Sequence, residues 1–174
     1  MDYRRRADIE QFIKDNFLTQ KRFEHLPIQF QVWVKDTLKG EGYDKYGKIK
    51  YFSDDLLHNL TGLDFVFILN EEIWDAIQEK NRMAIIEHFL LRIEPMCEYE
   101  EDGVDKKTKC MFKELPDVEN LNFTFVLTKS GRIKYKIIKP FGEFPEIISR
   151  YGDWNMDIRE IKNSFKACKA GLSH

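Results

Sequence analysis

The side chains able to do chemistry are few and scattered along the chain. His88 stands in the run Glu87-His88-Phe89-Leu90-Leu91-Arg92, while His25, His58 and His174 fall in separate segments and read as loop or terminal residues. Cys97, Cys110 and Cys168 are an odd number of cysteines, which in a reducing compartment is expected to mean free thiols. A metal site built from His88 and these thiols would need clustered ligands. The spacings match no C-x-x-C pattern, so no cofactor is expected. A cysteine nucleophile with His88 as base likewise has no local motif behind it. Lys106, Lys107 and Lys109, with Lys134, Lys136 and Lys139, are candidates for a phosphate-contacting or partner patch. Glu98, Glu100, Glu101, Asp102 and Asp105 lie among or beside them, so a solvated face is the expected reading. Arg4-Arg5-Arg6 reads as a solvated helix start. Trp74 and Trp154 are expected in the core, and Trp33, just before a loop, is the candidate partner anchor.

The elements that must position these groups are legible from periodicity. With 43% hydrophobic and 33% charged residues over 174 positions, the chain should fold as a single domain around a real core. A net charge of -2 argues against a non-specific nucleic-acid binder and falls short of a DNA mimic. No apolar run approaches the roughly 20 residues of a membrane span, and no apolar stretch follows the basic start. The expected location is the cytoplasm, with no membrane partner.

Ile9, Phe12, Ile13 and Phe17 share one helical face, predicting a helix from about Arg5 to Leu18. Ile28 to Val34 alternates as a half-buried strand, Lys48 to Phe52 is extended, and Ser53 is the expected N-cap of a short helix through Asn59. Leu63 to Leu69 reads as a central strand, followed by a helix capped by Asn70 and carrying Trp74. A further helix runs from about Asn81 to Ile93, ended by Pro95. Glu98 to Lys109 reads as a loop. The alternating runs Asn122–Leu127 and Arg132–Lys139 flank Lys129-Ser130-Gly131 as a hairpin. Helices follow from Pro145 to Tyr151 and from Met156 to Ala170, with Gly171 as the closing residue. The fold class is α+β, a small, mostly antiparallel sheet packed against several helices.

Several motifs in order resemble one family. Leu63-Asp64-Phe65-Val66-Phe67-Ile68, then Trp74, then Asn81 to Ile93 with Arg82-Met83-Ala84 and Glu87-His88, resemble the "DF" strand, the tryptophan-bearing helix and the R-x-A-L-[VI]-[DE]-H-E-L-x-H helix of the putative phage metallopeptidases. Ser130-Gly131-Arg132-Ile133-Lys134-Tyr135 resembles that family's "DGRxKY" hairpin, and Glu143 to Trp154 its closing "RYGxW" segment. The resemblance implies a zincin-like core over residues 45–155, with 1–44 as an N-terminal extension and 156–174 as a C-terminal helix. It also implies a zinc site, and there the sequence departs. The site needs two histidines one helical turn apart and a glutamate next to the first as general base. His88 is present, but Phe89 stands in the glutamate position and Arg92 in that of the second histidine. Pro140 occupies the downstream histidine position, and Glu143 is retained. Glu87 precedes His88 and is about 200° round the helix from the base position. Arg92 is expected to pair with a carboxylate, Glu143, where a metal would sit. His88, Phe89, Arg92, Pro140 and Glu143 thus form a degenerate former site.

The expected function is that of a catalytically inactive metallopeptidase-like phage or prophage protein acting by protein binding. Its partner would be a host or phage protein, such as a defence nuclease of the CRISPR type. The alternatives are a metal-dependent hydrolase with an altered site, and a nucleic-acid-associated module.

Overall fold

A computed structural model describes residues 2–23, 26, 29–101, 104–109, 123–139 and 145–152. The predicted helix from Met156 to Ala170 lies outside them. The chain is α+β, and its strands form two sheets. The first contains β1 (Arg4–Arg5), β2 (Phe30–Lys35), β3 (Gly47–Tyr51) and β4 (Phe65–Asn70) in the order β1-β2-β4-β3. Only the β2–β4 pair is parallel. The central place of β4 follows from its apolar run: Phe65, Phe67 and Leu69 are buried on one face, while two neighbours satisfy its backbone. In β2 the alternation holds, with Phe30, Val32 and Val34 buried.

The arginines at the start are a correction. Arg4 and Arg5 form β1, paired with Val34 and Trp33, and the helix α1 begins only at Ala7 (Ala7–Ile13), continuing as a π-helical turn over Lys14–Leu18. None of the three arginines is simply solvated. Arg4 pairs with Asp36 and Glu71, and Arg5 holds the buried Glu10 at 2.9 Å. Arg6 binds Asp8 and Glu71. Glu10 also accepts from the Val32 backbone N–H at 3.2 Å, tying α1 to β2.

The helix α2 (Asp55–Thr61) starts one residue later than expected. Asp54, not Ser53, is the N-cap, and its carboxylate accepts from Leu56 N–H at 2.7 Å. Gly62 closes it at φ 71°, the left-handed C-terminal conformation that favours glycine. Asn70 caps α3 (Glu71–Ala76) through Ile73 N–H, as expected. The longer helix α4 (Glu79–Leu91) ends before Pro95 is reached. Pro95 instead lies within β5 (Ile93–Glu101), opposite Tyr135.

The second sheet corrects the expected loop at Glu98 to Lys109. There β5 pairs antiparallel with β6 (Val104–Lys109), in a register that sets Glu98 opposite Lys107. These strands have little hydrophobic alternation to announce them; they are defined by their backbone pairing, across which Glu98 stands opposite Lys107 but Glu100 stands opposite Asp105. Two short strands, β7 (Phe123–Phe125) and β8 (Tyr135–Ile137), also pair with β5, antiparallel, one after the other. Between them Met96 accepts from Val126 N–H and donates to the Lys134 carbonyl. The predicted hairpin turn is present at Gly131 (φ 82°), but its two arms meet at the single bridge Leu127–Ile133 and otherwise lie along β5. The helix α5 (Pro145–Tyr151) packs on α4.

Candidate functional site

Of the candidate residues His88, Phe89, Arg92, Pro140 and Glu143, the first two belong to the last turn of α4 and Arg92 is its C-cap, while Pro140 and Glu143 lie outside the described residues. Arginine side chains on a helix lean back over the preceding turn, and Arg92, the C-cap of α4, does so. Its guanidinium carbon lies 5.1 Å from the Phe89 ring centroid and 6.0 Å from that of Tyr43. Phe89 is part of the core, with its ring reaching β3. A Cβ added at Gly47 would stand 3.1 Å from Phe89 Cε2 and 2.9 Å from the Ile68 carbonyl oxygen, so only glycine lets β3 pass this close. The position read from the resemblance as that of the general base thus holds a packed aromatic ring.

His88 is fully buried and stacks on Tyr43, with ring centroids 3.4 Å apart and planes 4° from parallel. Burial, and then the nearby Arg92 charge, push its pKa down from 6.5 to about 2, so the imidazole is neutral at physiological pH. The carboxylate facing Arg92 is Asp44, whose Oδ1 is 4.0 Å from Nη1. Asp44 also faces the Lys139 ammonium at 3.5 Å. Arg92 had been expected to meet Glu143; Glu143 and Pro140 lie outside the described residues. Tyr43 and Asp44 had no signal in the sequence beyond their place beside the Gly40-Glu41-Gly42 loop.

Glu87, immediately before His88 and about 100° round the helix from it, is fully buried. It forms ion pairs with Arg22, from the 3-10 turn Lys21–Phe23, and with Arg150 of α5. Its role here is to anchor α4.

The other candidates separate. Lys106, Lys107 and Lys109 stand on β6 opposite Tyr99, Glu98 and Met96. Lys134 and Lys136 are exposed, with Lys136 opposite Glu94. Trp33 is half-buried in β2, and its indole N–H donates to Gln31 at 3.0 Å. His58 belongs to α2, not to a loop; its Nδ1 lies 3.1 Å from the Leu63 carbonyl and 3.4 Å from Asp64. The free-thiol expectation fails at Cys97, which is buried and disulfide-bonded. An odd number of cysteines leaves one over; it does not forbid a pair.

The motif residues meet one another directly. Arg132 donates to Asp64 at 2.9 Å, joining the "GR" turn to the "DF" strand. Arg82 donates to the Trp74 carbonyl at 2.9 Å, with its guanidinium 5.4 Å from the indole. Glu87 binds Arg150, in the Arg150-Tyr151-Gly152 run. The profile of the family described as "Putative phage metallopeptidase" matches residues 1–167. The chain belongs to this family. No curated protein and no solved structure matches it.

Set against the zinc site that the family name implies, the residues on α4 do not fit. Phe89 has no lone pair to donate, and Arg92 is a fixed cation where a neutral ligand is required. His88 is the lone metal-binding side chain of the three. Among the described residues no three His, Cys, Asp or Glu side chains are grouped to hold a metal. No helix among them is long and apolar enough to cross a membrane.

Proposed function

We propose that this member of the phage metallopeptidase family is catalytically inactive and works by binding another protein, of the host or of a phage. The observation that carries the reading is the Phe89–Arg92 pair. One ring fills the general-base position within the core, and the guanidinium above it brings positive charge to the place of the second ligand. A bound zinc ion would have to sit beside that charge, with His88 stacked on Tyr43. The cost of bringing two cations together in a buried region weighs against it. A scaffold that loses its chemistry and keeps its fold retains its surfaces, and the phage character of the family suggests a host defence protein, such as a CRISPR effector, as the partner. That last step rests on the kind of source alone.

Elemental analysis of protein purified without an affinity tag tests inactivity. The expected result is far less than one zinc per chain and no peptide hydrolysis after zinc is added. Stoichiometric zinc that disappears in His88→Ala would overturn the reading in favour of an altered hydrolase. Affinity purification from host lysate, with mass spectrometry, tests the binding role; recovery of no specific partner, together with no effect on phage plating, would remove it.

A further inference from the structure

Arg92 is a buried cation with little to hold it. Its side chain is 10% exposed, and its Nε is buried with no hydrogen-bond partner among the described residues. Asp44, at 4.0 Å from Nη1, is beyond hydrogen-bonding distance. That carboxylate is also shared with Lys139, at 3.5 Å. With His88 neutral, the three charged groups sum to one surplus positive charge. A guanidinium has five donors in a planar fork, and leaving such a group buried and unsatisfied is costly. Arg92 therefore lacks a planar, singly charged acceptor.

We propose that Arg92 and Lys139 form a binding site for a carboxylate supplied from outside the chain, with Asp44 as its internal competitor. Lys139 is 79% exposed and marks the approach from solvent, while Tyr43 and Phe89 frame the guanidinium with aromatic faces. A carboxylate matches the fork in shape and charge. A polyanion matches less well, because Asp44 stands at the same place and repels additional negative charge. The site rests on the reading that Arg92, and not a metal, supplies the positive charge here. The carboxylate can come from an acidic side chain of a polypeptide or from a free organic acid.

The test uses the full chain labelled with 15N. Propionate and a blocked Gly-Asp-Gly peptide are titrated in, with propionamide and blocked Gly-Asn-Gly as neutral controls. The Arg92 Nε–H and the backbone amides of Tyr43 and Phe89 should shift saturably with the acids and not with the amides. A response to the peptide alone assigns the site to a polypeptide's side chain, a response to propionate alone to a free acid, and a response to both supports the site as stated. Arg92→Gln should weaken binding by about tenfold or more, the loss of one charge-assisted pair. Lys139→Ala should weaken it less, and Asp44→Asn should tighten it. No saturable shift with either acid would overturn the site, as would equal binding by Arg92→Gln. If Arg92→Gln does not fold, the opposite effects of Lys139→Ala and Asp44→Asn remain the criterion. A parallel zinc titration keeps the two ideas apart: a stoichiometric zinc response at His88 sinks the inactive reading, whereas silent acids with silent zinc sink this site alone.

Discussion

Arg132 reaches Asp64 across 68 residues of sequence, donating to its Oδ1 at 2.9 Å. The other oxygen of Asp64 accepts from Gln29 N–H at 2.9 Å. A second guanidinium nitrogen of Arg132 reaches Asp55 at 3.1 Å, and Ser130 donates to the same Asp55 oxygen at 2.8 Å. Ser130 and then Arg132 hold the Asp55 carboxyl below its usual range. This network fastens the turn between β7 and β8 to α2 and to the start of β4, and so joins the two sheets. Asp64→Asn and Arg132→Gln should each destabilise the fold, by about 1–3 kcal/mol for loss of a largely buried charge-assisted pair. The double variant should cost clearly less than the sum, a coupling that a double-mutant cycle by urea denaturation reads directly. Strict additivity would show that the pair contributes nothing.

Glu87 makes a sharper case, because its carboxylate is fully buried between two arginines that are not. Arg22 and Arg150 keep 29% and 44% of their side-chain exposure. Loss of either leaves the other to neutralise Glu87, and the freed space can admit water. Glu87→Gln should therefore cost about 3 kcal/mol or more, against roughly 1 kcal/mol for Arg22→Gln or Arg150→Gln alone. The double arginine variant should approach or exceed Glu87→Gln. Chemical denaturation of the four proteins decides it, and equal costs for Glu87→Gln and a single arginine variant would contradict the arrangement.

These two ion pairs, with Arg82 on the Trp74 carbonyl, explain what could be read from the sequence. The motifs that carried the resemblance are bonds between elements, so their order announced the fold although each alone is short. Strands with apolar alternation, such as Phe30 to Val34 and Phe65 to Leu69, were legible for the same reason that they are stable: one face is buried. The pairing of β5 with β6 was not legible, because backbone hydrogen bonds leave no periodic signature in the side chains. Arg4 and Arg5 were misread as a helix start because a two-residue strand is specified by its neighbour β2, not by its own residues. At the site, the substitutions at Phe89 and Arg92 were visible by type. Tyr43 and Asp44 were not, since nothing in the spacing says that a loop 45 residues upstream will place a ring on His88.

The disulfide at Cys97 gives a third prediction. Cys97 is buried in β5, and a cross-link constrains the unfolded chain more than the folded one. Adding a reductant should lower stability by roughly 2–4 kcal/mol, and Cys97→Ala should abolish the effect of the reductant. Measurement is by urea denaturation in the presence and absence of a phosphine, with alkylation and intact mass to count free thiols. Three free thiols in the native, unreduced protein would contradict the bond.

His88 links the candidate site to the pH dependence of the fold. In the folded chain its pKa is held at about 2, first by burial and then by Arg92, whereas in the unfolded chain it returns to about 6.5. The neutral form is thus favoured by folding. Its contribution is fully present above about pH 6.5 and is lost as the pH falls through that value toward the folded pKa, because there the unfolded chain binds one more proton than the folded one. Between pH 6 and pH 5 the slope from this residue alone should approach about 1 kcal/mol per pH unit. The carboxylates held by arginines, Asp8 and Glu10, have lowered pKa values and begin to contribute only as the unfolded carboxylates titrate, at about pH 4–5. The upper part of the acid limb therefore isolates an imidazole. His88→Gln should flatten the stability profile between pH 6.5 and 5 while leaving the steeper loss below it, whatever the substitution costs at neutral pH. The Tyr43 stack sharpens the test: Tyr43→Leu keeps His88 apolar in surroundings and should retain the slope, whereas a slope that disappears with Tyr43→Leu would mean that the ring is reached by water once the stack is removed.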